Sequence, residues 1–163
     1  MLCAQILGDL GADVIQIEPP GGAEGRKIGP FFKAIDDKEH SLSWWGYSRG
    51  KRSIELDIDE ERQLFLDLIK RADFLIESEP VGSLGGRDLS YQALSTINPS
   101  LVQVSITPFG LTGPKSKWLA SDITLMASAG PLAMTGDDGL PPVRVSVPQA
   151  WNHAAAEAAV GAI

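Results

Sequence analysis

The sequence predicts one α/β domain with a mostly parallel sheet and flanking helices. Three observations support this fold class. Short runs of β-branched residues alternate along the chain with segments of helical periodicity. The helical segments are long enough to carry the chain back across a sheet, as right-handed βαβ units require. The 163 residues, 44% hydrophobic and 21% charged, contain neither an internal repeat nor a change of composition that would mark a linker.

The predicted elements alternate through the middle of the chain. A strand over 13–18 is closed by a Pro-Pro-Gly-Gly turn. A second strand over 52–58 leads into a helix over 59–71, whose acidic first turn and basic last turn complement the helix dipole. The pattern continues with a strand at 74–77, a helical turn at 91–97 and a strand over 101–109.

Both ends of the chain are predicted to be helices without an outer cap. Leu2, Ile6 and Leu10 recur every four positions and form one apolar face. The segment 150–163 favours a helix by propensity, and no capping signal follows it. We therefore expect the chain to be a piece of a longer protein. The alternative is one domain with two frayed terminal helices.

The composition argues against several classes of function. A net charge of -7, from 14 basic and 21 acidic residues, disfavours nonspecific nucleic-acid binding, which needs many cation–phosphate contacts. No apolar stretch approaches the roughly 18 residues that span a bilayer, and no signal peptide is recognised. One cysteine and two histidines cannot build a thiolate or imidazole zinc cluster. The single Cys3 suggests a reducing compartment, so we expect a cytoplasmic location.

A cluster of basic residues could receive an anionic ligand. Lys51 and Arg52 lie at the start of the second predicted strand, and Arg26, Lys27 and Arg49 lie in nearby loops. Against the acidic background of the chain, this cluster could attract a phosphate. The alternative is a solvated basic edge that discourages strand pairing.

Four aromatic residues fall in segments predicted to be exposed loops: Trp44, Trp45, Tyr47 and Trp118. They could line the pocket of a flat ligand or a partner interface, and core packing is the alternative.

The glycines that follow the first strand do not fit the dinucleotide-binding pattern.

Asp122 is the carboxylate with the clearest chemical context. It follows a Gly-Pro turn and precedes an apolar segment. Ser121 and Asp122 could cap a helix through their side-chain oxygens. The carboxylate could instead act as an acid, a base or a nucleophile. His153 in the last helix is interpreted as structural, and no Ser–His–Asp set can be assembled.

Several stretches together resemble one known family. They are QILGDLGADVIQIEPPGG, GKRSIELDI, ADFLIES, LSYQALSTINPSLVQVSITPFGLTGP and GLPPVRVSVP. In this order and spacing they resemble the family III CoA-transferases (CaiB/BaiF), which include formyl-CoA and carnitine CoA-transferases and α-methylacyl-CoA racemases. The resemblance implies that 1–163 is part of a Rossmann-like large domain that lacks the family's first strand and its C-terminal remainder. It also implies an acyl-CoA and a small carboxylic acid as substrates, and an interlocked homodimer.

The resemblance also locates the family's nucleophile. In the transferases, an aspartate that follows the Pro-Pro loop attacks the acyl-CoA thioester. Ungapped alignment from Pro141 and Pro142 places Trp151 at that position. The racemases use a histidine, which matches Ser121, and an aspartate, which again matches Trp151. Asp122 matches an acidic position beside the active site and is the remaining candidate for a catalytic residue.

Positions that contact coenzyme A in the family carry over in part. The matched positions are Pro19, Leu56, Asp57, Ser78, Glu79 and Arg87. The family's arginine falls at Gly86, so Arg87 is offset by one residue. Glu79 is compatible with bound CoA only if it points to solvent, because the CoA phosphates repel it.

Three functional hypotheses are compatible with the sequence. The chain could belong to an active transferase that uses another residue, such as Asp122. It could be a silent subunit that pairs with an active paralogue, which Trp151 favours because an indole would fill the space of the thioester carbonyl. It could also be an interaction module without affinity for CoA, since the same residues also build the fold.

Overall fold

The protein is described by a computed structural model that covers residues 1–35 and 37–163. Its strands are β1 (Ile15–Glu18), β2 (Arg52–Glu55), β3 (Phe74–Glu77) and β4 (Val102–Ser105). Its α-helices are α1 (Leu2–Asp9), α2 (Leu42–Ser48), α3 (Arg62–Ile69), α4 (Ser83–Gly86), α5 (Tyr91–Ile97), α6 (Asp122–Ala129) and α7 (Gln149–Ala162). Short 3-10 helices cover Glu24–Lys27, Phe32–Ala34 and Pro131–Met134.

The strands form two parallel pairs. In the first pair, Ile15 lies opposite Arg52, and β1 and β2 run parallel. In the second pair, Phe74 lies opposite Val102, and β3 and β4 run parallel. The α/β prediction with parallel strands and flanking helices is confirmed. Among the described residues, no hydrogen-bonded ladder joins the two pairs, so the sheet is built from two short pairs.

Two layers of helices enclose the strands. On one face, helices α3 to α5 pack on the strands around a core of Leu56, Phe65, Ile69, Leu84, Leu89, Leu94 and Leu101. Ile17, Ile54 and Leu75 of the strands pack against that core. Ile76, the neighbour of Leu75, packs instead against the core formed by α1 and α7. Because adjacent strand residues point to opposite faces, β3 is covered on both sides.

Small residues let α7 lie close to α1. Ala155, Ala159 and Ala162 are buried at helical spacing and share a cluster with Cys3 and Leu7. Side chains of this size allow a short distance between helix axes. Ile76 and Val104 of the strands pack against the same cluster, so α7 also lies against the sheet.

The acidic turn before α3 differs from the prediction. The helix begins at Arg62 and not at residue 59. The carboxylate of Asp57 accepts hydrogen bonds from the backbone N–H groups of Asp59 (2.9 Å) and Glu60 (3.3 Å). This side-chain turn competes with the first helical turn for the same donors, so the acidic residues precede the helix.

Three of the four aromatic residues predicted in loops lie on a helix, so that prediction is wrong for them. Trp44, Trp45 and Tyr47 belong to α2, and the Ser41 side chain caps that helix by accepting from the Trp44 N–H. Trp44 is buried. Trp118 does lie in a loop, where it packs edge-on against Phe109 with 6.1 Å between ring centroids. The hydroxyl of Ser41 was the overlooked helix-start signal.

Within 1–35 and 37–163, no helix combines the length and apolar character needed to cross a bilayer. The same residues contain no group of three His, Cys, Asp or Glu side chains placed to hold a metal ion.

Candidate functional site

Helix α6 begins with a capping box. The Ser121 hydroxyl accepts from the Thr124 N–H at 3.4 Å, and the Thr124 hydroxyl accepts from the Ser121 N–H at 2.8 Å. Reciprocal bonds of this kind satisfy two donors that the helix itself leaves open. The predicted capping role of Ser121 is confirmed.

Asp122 connects the starts of two helices. It is the first residue of α6 and is buried, with 8% of its surface exposed. Its Oδ1 accepts a hydrogen bond from the backbone N–H of Trp151 at 3.3 Å. Pro148 precedes α7 and provides no side-chain cap for it. The Asp122 carboxylate therefore caps α7 from the neighbouring helix, where the helix dipole favours a negative charge.

Trp151 lies in the first turn of α7, directly beside Asp122. Its surface is 39% exposed, so the indole is not part of the core. A cavity of about 10 Å³ lies next to Asp122, lined also by Ile123, Met126, Leu132, Thr135, Arg144, Val145 and Gln149. That volume holds about one water molecule. The structure thus brings together Ser121, Asp122 and Trp151, the three positions that the sequence singled out for catalysis.

The positions matched to CoA contacts lie where strands end. Pro19 follows β1 and is next to Leu56 because the Glu18 carbonyl accepts from the Leu56 N–H at 2.8 Å. Leu56 is 2% exposed and belongs to the core, so this matched position is covered by the protein itself. Asp57 follows it and is engaged in the turn described above.

The matched positions after β3 carry their own internal contacts. Glu79 accepts a hydrogen bond from the Ser83 hydroxyl at 3.0 Å, and both Ser78 and Glu79 are exposed. The Nε of Arg87 lies 3.3 Å from Oδ1 of Asp59. This ion pair brings the segment after β3 into contact with the segment after β2. The predicted contact positions therefore lie along connected strand ends.

A buried ion pair that the sequence pattern does not predict lies at the end of β1. The Glu18 carboxylate accepts from Arg26 through Nε (2.6 Å) and Nη2 (2.9 Å), from the Ala23 N–H (3.0 Å), and from the Ser53 hydroxyl. The Arg26 guanidinium also lies 4.4 Å from the centre of the Trp44 ring. The hydrogen bonds from Arg26 above all, then from Ser53 and Ala23, lower the pKa of Glu18 to about 2 despite its burial.

The pairing of Arg26 changes the interpretation of the basic cluster. Lys27 pairs with Glu24 at 2.6 Å, Arg49 pairs with Asp9 at 3.1 Å, and Arg52 pairs with Asp13. Lys51 donates to the Met1 carbonyl at 2.9 Å. All five members of the cluster thus have partners within the chain, which favours the structural alternative. A glutamate that ends an apolar strand was the available signal for a buried cation partner.

Comparisons with known proteins identify CoA-transferases as the relatives of this chain. The family model described as CoA-transferase family III matches residues 1–163. The chain is 44% identical over 160 residues to the succinyl-CoA:(R)-benzylsuccinate CoA-transferase subunit BbsE of Thauera aromatica, covering 97% of this chain and 39% of that protein. It is 37% identical over 149 residues to the succinyl-CoA:mesaconate CoA-transferase of Haloarcula hispanica, covering 88% of this chain and 38% of that protein.

A solved structure has the same fold. A CAIB/BAIF family protein from Brucella suis superposes with a TM-score of 0.89 at 32% identity, over 99% of this chain and 43% of that one. The chain therefore spans less than half the length of these relatives. It belongs to CoA-transferase family III, which confirms the resemblance drawn from the sequence.

Proposed function

We propose that this family member is the non-catalytic part of a CoA-transferase that moves CoA from an acyl-CoA to a carboxylic acid. In this proposal it pairs with a related chain that carries the nucleophilic aspartate. The observation that carries the proposal is the pair formed at the start of α7. Trp151 stands at the position matched to the nucleophile, and the nearby Asp122 carboxylate caps the same helix turn.

The chemistry of the family explains why a carboxylate is needed at that position. A carboxylate oxygen attacks the thioester carbonyl carbon, the CoA thiolate leaves, and a mixed anhydride forms. The thiolate then attacks the enzyme's carboxyl carbon and releases the donor acid as its carboxylate. The acceptor carboxylate attacks the carbonyl carbon of the resulting enzyme thioester, expels the CoA thiolate and forms a second mixed anhydride. The thiolate then attacks the acceptor's carbonyl carbon in that anhydride, which gives the new acyl-CoA and releases the enzyme's carboxylate. The indole of Trp151 has no anionic oxygen with which to begin this sequence.

Asp122 is poorly placed to replace the missing nucleophile. Its carboxylate is buried, and one oxygen accepts from the Trp151 N–H. An attack on a thioester would remove the negative charge that stabilises the start of α7.

The pairing with a second chain rests on the relatives. The similar protein from Thauera aromatica is named as a subunit of its transferase. By extension, we propose a dimer with an active paralogue, or with a second copy of this chain if another residue supplies the nucleophile. Acyl-CoA would lie along the strand ends near Pro19, Leu56, Asp57, Ser78, Glu79 and Arg87. A cytoplasmic location, inferred from cysteine usage, belongs to the same proposal.

Restoring the carboxylate tests the proposal directly. The full-length protein is incubated with succinyl-CoA and, separately, with succinyl-pantetheine, and its intact mass is measured. The unmodified protein should form no covalent adduct and should transfer no CoA on its own. The Trp151→Asp variant should gain the mass of a thioester adduct on residue 151 with at least one of the two donors.

A matched control separates the carboxylate from the loss of the indole. Trp151→Asn has nearly the same size as the aspartate variant but cannot be acylated through a carboxylate, so it should form no adduct. An adduct on the unmodified protein would overturn the proposal. A folded Trp151→Asp variant, verified by circular dichroism, that forms no adduct with either donor would also count against it.

A further inference from the structure

The strand-end edge, defined as residues 56–62 and 77–88, is strongly acidic. These residues include seven carboxylates and two guanidinium groups. The carboxylates belong to Asp57, Asp59, Glu60, Glu61, Glu77, Glu79 and Asp88. Asp59, Glu60, Glu61 and Glu79 are exposed, so their charges face solvent beside the positions matched to CoA contacts.

Both arginines of the edge are engaged with the protein. Arg62 donates to the backbone carbonyls of Arg87 and of Asp88, the latter at 3.1 Å, and so holds the loop after α4. Arg87 lies 3.3 Å from Asp59 through its Nε. Of the six positions matched to CoA contacts, Arg87 is the one that carries a positive charge. A phosphate would have to compete with Asp59 for that guanidinium.

The phosphates of CoA do not fit this edge. Phosphate groups are held in proteins by guanidinium and ammonium groups or by the N–H groups at helix starts. Here Asp57 already accepts from the N–H groups of Asp59 and Glu60 before α3. The N–H of Glu79 is likewise taken, by the Glu77 carboxylate at 2.8 Å. The backbone N–H groups of Asp59, Glu60 and Glu79, which could otherwise bind a phosphate, are thus already hydrogen-bonded to carboxylates of this chain.

We infer that this edge does not anchor the phosphates of CoA, and that tight CoA binding by the enzyme resides on the partner chain. The inference rests on the proposed function, in which the partner performs the transfer. A subunit without a nucleophile does not need to hold the reacting thioester, so the acidic residues carry no cost for catalysis there. The uncharged pantetheine arm remains compatible with the matched positions.

Pantetheine provides a probe that separates phosphate contacts from the rest of CoA. Dissociation constants of CoA and of pantetheine are measured by calorimetry on the full-length protein without its partner. CoA should bind no more tightly than pantetheine. The Asp59→Asn, Glu79→Gln double variant removes two negative charges and releases Arg87, so it should bind CoA about tenfold more tightly, with pantetheine affinity unchanged.

Two further variants complete the test. Added to the double variant, Arg87→Gln should cancel the tenfold gain in CoA affinity, because that gain depends on the guanidinium released from Asp59. Asp67→Asn serves as the matched control, since this acid lies on α3 outside the edge and pairs with Lys70 at 2.6 Å; it should alter neither affinity. CoA binding that is tenfold tighter than pantetheine binding, and that Arg87→Gln abolishes, would overturn the inference.

The adduct assay distinguishes this inference from the proposed function. Trp151→Asp should react with succinyl-pantetheine at least as fast as with succinyl-CoA. Faster reaction with succinyl-CoA that depends on Arg87 would overturn the inference and leave the proposed function standing. No reaction with either donor would instead count against the proposed function.

Discussion

The carboxylates at two strand ends of this molecule differ in burial and in pairing. At the end of β1, the Glu18 carboxylate is 3% exposed and accepts two hydrogen bonds from Arg26, as well as bonds from Ser53 and the Ala23 N–H. At the strand-end edge after β2 and β3, carboxylates outnumber guanidinium groups and several are exposed. The Glu18 carboxylate is enclosed by its partners, whereas several carboxylates of the edge are exposed to solvent.

The difference teaches which charges the fold requires. A buried carboxylate costs several kcal/mol unless partners surround it, so Glu18 and Arg26 must be retained together. An exposed carboxylate is screened by water and salt, so excess charge at the edge costs little stability. The exposed edge can therefore lose affinity for an anionic ligand without damage to the fold. The end of β1 has no such freedom.

The largest effect is expected when the buried pair is broken. Arg26→Met removes both guanidinium hydrogen bonds from Glu18 and should lower the free energy of unfolding by about 3 kcal/mol or more. Urea denaturation of the full-length protein measures this loss. Arg49→Met removes a surface pair with Asp9, whose side chains are 69% and 54% exposed, and should cost less than about 1 kcal/mol. Equal losses in the two variants would contradict the comparison.

Acid should weaken the fold through Glu18. Its pKa falls from 4.5 to about 2 in the folded protein, chiefly because Arg26 hydrogen-bonds the ionised carboxylate. A group with a lowered folded pKa stabilises the protein above its unfolded pKa and loses that contribution as the pH falls. Between pH 5 and pH 2 the loss should amount to about 3 kcal/mol.

The Glu18→Gln variant isolates this carboxyl group from the rest of the chain. Urea midpoints are measured from pH 7 down to pH 3, and the variant should show a smaller decline than the unmodified protein. Asp67→Asn is the control: hydrogen bonds from Lys70 and Gln63 lower the pKa of Asp67, but its side chain is 52% exposed. A decline in Glu18→Gln as steep as in the unmodified protein would show that Glu18 is not the responsible group.

Asp122 is an intermediate case, a buried carboxylate whose partner is a backbone N–H group. Asp122→Ala should lower the free energy of unfolding by about 1 kcal/mol, as expected for a lost helix cap. Hydrogen exchange at the Trp151 amide should quicken in the same variant. Asp122→Asn keeps an acceptor oxygen and should largely preserve both. Unchanged exchange at Trp151 in Asp122→Ala would mean that the carboxylate does not cap α7.

The strands were predictable because each depends on local pattern. All four predicted strands occur, and the parallel pairing follows from the helices and loops between them. The start of α3 was misplaced because the Asp57 side chain turns the chain before the helix begins. The aromatic helix α2 was missed because its start depends on one hydroxyl, that of Ser41, accepting from the Trp44 N–H.

In the candidate site, too, features that depend on motif order were predictable and contacts between distant residues were not. The match of Trp151 to the family's nucleophile position comes from the order of the motifs, and it stays a prediction. The role of Asp122 was not visible in the sequence, because its partner Trp151 lies 29 residues away along the chain. The partners of the basic cluster were likewise invisible, since sequence alone does not show which acid each cation reaches.

By itself, the sequence determined the order of the four strands and the family. Strands follow from the pattern of a few neighbouring residues, and the family follows from the order of motifs along the chain. Neither requires knowledge of which distant residues meet in space. Tertiary structure alone decided that Glu18 is paired by Arg26 and Ser53, that Asp122 caps α7, and that Arg87 is held by Asp59. These contacts depend on which strand ends and helix starts meet in space, and on how far each charge is removed from water.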